Sequence, residues 1–201
     1  EPKEGLSKAD VLFLIGFSDR ADNHSPLFSN LTANGFRVIS FDYPSHGETE
    51  CWSLNTHSMV SLEGLVKIIL MSAEVQSNQP LYLTGWSTGG LLAYRMLQRN
   101  ALSWRDVRGT VLLAPGFSVY PVPGNYGIVT IESLLSNPNI PHMGPISPSS
   151  PLLYPFFGAD LMATSLLARF ESVPEVPVLM ILADDDADVY ANTRKIKKWY
   201  Q

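Results

Sequence analysis

Five short apolar runs, separated by stretches whose apolar residues recur at helical spacing, limit most strongly how this chain can fold. VLFLIGF at 11–17 and FRVISFDYP at 36–44 are β-branched and aromatic and are bounded by Gly, Asp and Pro, as strands covered on both faces are. Between them, SPLFSNLTANG places Leu27, Phe28 and Leu31 on a helical face and ends at Gly35. SMVSLEGLVKIILMSAEV then puts Leu62, Leu65, Val66, Ile69 and Ala73 on one side of a helix, followed by PLYLT as a strand and GGLLAYRMLQRN as a helix. VRGTVLLAP at 107–115 and VPVLMILA at 176–183 add two strands. Strand and helix in alternation predict an α/β fold with a mainly parallel sheet and helices on both faces.

The stretch 116–174 breaks this rhythm with runs such as YPVPGNYG and NPNIPHMGPISPSSPLLYPFFG, and short helices are expected near 128–135 and 160–170. It is too long for an ordinary connection between strands. It therefore reads as a cap-like or lid insertion over one edge of the sheet, with 1–115 and 175–201 forming the core.

Composition removes several function classes. The chain has 201 residues, 45% hydrophobic and 16% charged, with a net charge of −5, a balance that suits one globular domain. Apart from the terminal RKIKKW there is no basic run, so no footprint for nucleic acid. A single cysteine, Cys51, excludes an internal disulfide framework and reads as a filler. The apolar runs are too short to span a bilayer and no signal segment opens the chain, so a soluble protein is expected, the cytoplasm slightly favoured over export. A start at Glu1 rather than Met suggests that something upstream was removed or left out.

Gly85-Trp86-Ser87-Thr88-Gly89 is a G-x-S-x-G pattern. About one chain of this length in fifteen carries it by chance at ordinary glycine and serine frequencies, so context decides its weight. Here it follows an apolar strand and opens an apolar helix, the setting of a nucleophile elbow. Such a turn lifts the serine hydroxyl above the sheet and crowds the residues two before and two after, where only glycine avoids a clash. It also aims the first amides of the helix, Thr88 N–H among them, at the space where an oxyanion would form.

With FDYPSHGET after the second strand, GWSTGG at the elbow and PVLMILADDDADV late in the chain, the sequence resembles the α/β-hydrolase superfamily, especially its monoacylglycerol lipase and lysophospholipase branch, related to the S33 serine aminopeptidases. The resemblance implies a second oxyanion donor in the loop after the first strand, where relatives often read His-Gly-x. Ile15-Gly16-Phe17 stands there, which makes Phe17 N–H the matching donor, and Gly16 lets the chain pass close to substrate.

A serine hydroxyl needs a base, and the base needs a carboxylate to orient it. The family's strand, turn and Asp-x-x-Val best match Asp186, with Asp188 second. Asp184, Asp186 and Asp188 also open like a calcium loop, but Val189 replaces the turn glycine and Lys195 the bidentate Glu, so no metal is expected. The resemblance places the histidine after the acid, on a loop beyond one more strand, whereas His24, His46, His57 and His142 all precede it. His46 lies in a turn where relatives use it structurally, His24 reads as a loop or capping residue, His57 as solvated, and His142 belongs to the insertion. The expectation is a catalytic histidine outside this chain, which would then be incomplete at both ends.

The expected function is a serine hydrolase that cleaves lipid-like carboxylic esters through an acyl-enzyme on Ser87, without a cofactor. Gly16, Trp86, Phe117 and Tyr120 are the expected substrate contacts, and the apolar residues of the insertion suit either an acyl chain, a membrane surface or a small core of their own. Rivals are a serine aminopeptidase, an acyltransferase, or a binding protein that uses the pocket without turnover.

Overall fold

The structure, a computed structural model, describes residues 7–17, 19–44, 46–49, 58–72, 78–117, 155–168, 170–172 and 175–182. In chain order these form β1 (Ala9–Leu14), a 3-10 turn (Ala21–His24), α1 (Ser25–Ala33), β2 (Phe36–Ser40), α2 (Met59–Met71), β3 (Leu81–Trp86), α3 (Thr88–Gln98), β4 (Val107–Leu113), α4 (Pro155–Leu167) and β5 (Val178–Ile181). The sheet is parallel throughout, in the order β2-β1-β3-β4-β5.

This order follows from the crossovers. The connection β1-α1-β2 moves one way across the sheet and β3-α3-β4 the other, so right-handed crossovers put α1 and α3 on opposite faces. The two directions part between β1 and β3, and the crevice beyond the carboxyl ends of those strands is where such sheets bind ligands. Leu14, the last residue of β1, pairs in register with Gly85 of β3, which in turn pairs with Leu112 of β4.

Every residue of β1 is buried, which explains why 11–17 reads as a continuous apolar run. On α2 the buried face is Met59, Leu62, Glu63, Val66 and Leu70, with Leu65 and Ile69 partly buried against the core. The helix has therefore turned slightly from the expected face, and Ile68 and Met71 point outward. Its start is fixed twice: Ser58 and Ser61 form a reciprocal capping box, and Asp160 Oδ2 of α4 accepts the Met59 N–H at 2.7 Å.

Helix α4 starts earlier than expected from sequence and joins the main core. Phe157, Leu161 and Ala168 belong to the same buried cluster as Leu12, Val66 and Leu92. The rest of the expected insertion, residues 118–154 with its first expected helix, lies outside the described residues.

The amino end of the sheet is fastened by charge. Asp10, fully buried, accepts Arg37 Nε at 2.8 Å and Nη2 at 2.9 Å, and Arg105 Nη2 at 2.8 Å. This ties β1 to β2 and to the chain entering β4. Removing one partner of a buried ion cluster leaves the others desolvated and uncompensated, at about 3–5 kcal/mol. Asp10→Ala should lower the free energy of unfolding by that amount in urea titrations.

Candidate functional site

Ser87 sits between β3 and α3 with φ 53° and ψ −118°, a left-handed conformation that a non-glycine residue adopts only under constraint, at about 1–3 kcal/mol. The constraint is visible. Its N–H donates to Leu113 O at 3.0 Å, and its carbonyl accepts Gly116 N–H at 2.9 Å and Leu91 N–H at 3.2 Å. β4 and the start of α3 thus hold both sides of the turn, and Ser87 stays half-buried.

The flanking glycines are required by space. A Cβ on Gly85 would run into the Gly89 carbonyl, and one on Gly89 into the carbonyl oxygens of Leu14 and Ile15. Backbone therefore meets backbone where β1, β3 and α3 converge, and no side chain fits between them.

Gly16, in the loop after β1, lies against this turn. A Cβ there would stand 2.8 Å from Trp86 Cε3 and 3.3 Å from Ser87 Cβ. Gly16, Trp86 and Ser87 are in direct apposition, with Phe17 and Thr88 as chain neighbours. The Phe17 ring is half-buried, stacked on Phe157 of α4 at 6.0 Å and edge-on to His46 at 5.7 Å.

Phe117, only 1% exposed, packs edge-on against Tyr94 at 4.9 Å. Asp186, Asp188 and Tyr120 lie outside the described residues, as do His57, His142 and Cys51.

The two described histidines are both buried. His46 Nδ1 stands 3.0 Å from Pro44 O. Burial pulls the imidazole below its ordinary value of 6.5, against the pull of the Pro44 carbonyl and of the Asp42 and Asp19 charges. His24 stands at the N-cap position of α1, though its side chain makes no capping bond to the helix. Its Nε2 lies 2.5 Å from Asp19 Oδ2, and Asp19 also accepts Asn23 Nδ2 at 2.9 Å. Burial raises the Asp19 carboxyl, yet hydrogen bonds from His24 and Asn23, the His24 charge and a backbone N–H outweigh it and leave the group below its ordinary value. Sequence reasoning passed over this pair. Its signal was an aspartate directly after the loop that follows β1, with a histidine five residues on.

Among the described residues no group of three or more His, Cys, Asp and Glu is placed to hold a metal ion, and no helix is long and apolar enough to cross a membrane.

A family model described as serine aminopeptidase, S33, matches residues 5–145. The chain belongs to this family. That stretch includes β1, the Gly16-Phe17 loop, the Ser87 turn and β4. Among solved structures, a monoacylglycerol lipase from Paleococcus ferrophilus superposes with a TM-score of 0.70 at 16% identity, over 97% of this chain and 81% of that one. An enol-lactonase from Burkholderia xenovorans gives 0.69 at 16%, over 98% and 81%. A soluble variant of monoglyceride lipase from Saccharomyces cerevisiae gives 0.66 at 14%, over 99% and 75%. At such identities the likeness establishes the fold, that of the α/β-hydrolases. A search of curated proteins finds no match.

Two outcomes follow from the geometry. Ser87→Gly frees the constrained φ and should raise the free energy of unfolding by about 1 kcal/mol over Ser87→Ala, measured by chemical denaturation. For His46, a folded imidazole that titrates below the unfolded one means that the unfolded chain binds the proton first. Its contribution is full above pH 6.5 and is lost as pH falls below that value. His46→Gln should therefore flatten the decline of the thermal midpoint between about pH 7 and pH 5.

Proposed function

We propose that this chain is a serine hydrolase acting on carboxylic esters, with Ser87 as nucleophile. The observation that carries the reading is the constrained backbone of Ser87 beside Gly16: a strained serine on a strand-to-helix turn, apposed to a glycine loop from the neighbouring strand, is the arrangement that acyl transfer needs. Ser87 Oγ attacks the ester carbonyl while a base takes its proton. The resulting oxyanion is held by Phe17 N–H and Thr88 N–H. The C–O bond to the alcohol breaks, and the alcohol leaves with the proton. Water then attacks the acyl-serine, releases the acid and returns the proton to Ser87. Asp186, with Asp188 as second choice, is the carboxylate proposed to orient the base. His24 and His46 are not assigned the base role, since each is buried and engaged elsewhere, His24 with Asp19 and His46 with the Pro44 carbonyl.

A lipid-like ester is the proposed substrate class. Two of the structural relatives are described as monoacylglycerol and monoglyceride lipases, and the ends of the 116–155 stretch support a cover over the site. It leaves at Gly116, bonded to Ser87 O, and has returned at Phe157, stacked on Phe17. Its apolar residues, Tyr120, Tyr126, Leu152 and Leu153 among them, are suited to an acyl chain.

A fluorophosphonate probe tests the chemistry. The full-length protein should become labelled and the label should vanish in Ser87→Ala. Turnover of p-nitrophenyl esters but not of aminoacyl anilides would favour an esterase over a peptidase. No labelling of the full-length protein would leave a binding protein as the better reading.

A further inference from the structure

We propose that Asp19, fixed by His24, is a positioning residue that holds the Gly16-Phe17 loop against the Ser87 turn. The inference rests on the hydrolase reading and concerns how one of its two oxyanion donors is kept in place. Asp19 is 4% exposed and follows Phe17 by two residues. Its Oδ2 receives both His24 Nε2, at 2.5 Å, and the Gly16 N–H, at 3.5 Å, while Oδ1 receives Asn23 Nδ2. The loop is therefore closed on itself: the carboxylate at its end reaches back to the amide at its start. The bond to Gly16 is long, so the tether depends on how firmly the carboxylate is held from the other side.

His24 supplies that hold. Its ring is 8% exposed, 4.5 Å from Phe13 and 6.0 Å from Phe28, and edge-on to Trp86 at 5.8 Å. Trp86 precedes Ser87 and presses on Gly16. One histidine thus touches both halves of the site, the loop through Asp19 and the nucleophile turn through Trp86. Closing a short loop would not by itself call for a buried carboxylate, since a charge taken out of water is costly unless it is paired. An anion held by several donors, among them His24, Asn23 and the Gly16 and Arg20 amides, does give one fixed geometry, and oxyanion donors act only when fixed before the charge develops.

The test uses the full chain and compares the wild type with Asp19→Asn, His24→Phe and Asn23→Ala. His24→Phe keeps an aromatic ring beside Phe13 and Trp86 and removes the bond to Asp19. Asn23→Ala removes only a half-buried donor and serves if the buried variants fail to fold. Expected are a fall in kcat of about 10–100-fold for Asp19→Asn and His24→Phe, below the loss from deleting a donor outright, and of several-fold for Asn23→Ala. KM for a short p-nitrophenyl ester should move less than about twofold. Affinity for a boronic acid, whose tetrahedral adduct places an oxygen where the oxyanion forms, should fall in step with kcat. A purely structural role would lower thermal stability and leave boronate affinity per folded molecule unchanged. That result, or an unaltered kcat in folded variants, overturns the proposal. If wild-type Ser87 does not react with fluorophosphonate, the hydrolase reading itself fails and this inference with it. If the wild type reacts and the variants match it, only the inference fails.

Discussion

The close approach of three backbones at Gly85 and Gly89 is the constraint on which the rest of the structure depends. β1 ends, β3 ends and α3 begins within one small volume, and the carbonyl oxygens of Leu14, Ile15 and Gly89 occupy the places where Cβ atoms would stand. Because α3 is pressed so close to the sheet, Ser87 is left in a conformation it would not choose alone. Three backbone hydrogen bonds, to Leu113, Gly116 and Leu91, keep it there. Strain of this kind survives only where the surroundings over-determine it.

Strand β1 carries the consequences at both of its ends. At the start, Asp10 gathers Arg37 and Arg105 and locks the sheet register. Just beyond its end, Asp19 gathers His24, Asn23 and the Gly16 amide beside Ser87. Both carboxylates are buried and both are hydrogen-bonded, as burial of charge demands. The difference lies in what is held: a strand inside the sheet in one case, the loop that follows it beside Ser87 in the other.

Distant segments converge on the same framework through polar contacts. Asp160 caps α2, and Arg95 of α3, 1% exposed, bonds to Glu171 and Gln98 at 2.6 Å each. Glu171 is held below its ordinary value chiefly by the hydrogen bond from Arg95. Helix α4 and the chain after it are thereby fixed to the helices beside the site, and Phe157 reaches Phe17. The two described ends of the long unpatterned stretch thus lie at Ser87 and at Phe17.

The five strands, the parallel class and the glycine-serine turn were legible in the sequence because each rests on local rules: apolar runs bounded by Gly and Pro, helical periodicity, and a turn that only glycine can line. The strand order alone is shared by other doubly wound folds, so it was the turn that narrowed the choice. Contacts between residues distant in sequence were not legible. No local pattern tells that Phe117 turns inward onto Tyr94, that Asp160 caps a helix a hundred residues earlier, or that α4 joins the central core. Even the Asp19 and His24 pair, five residues apart, acquires its place only when Phe13, Phe28 and Trp86 enclose it. Sequence determined which segments are stiff and where the backbone must bend, since both follow from the conformational preferences of single residues. Tertiary structure decided which side chains face one another, because burial and charge pairing depend on neighbours that the chain supplies only after it has folded.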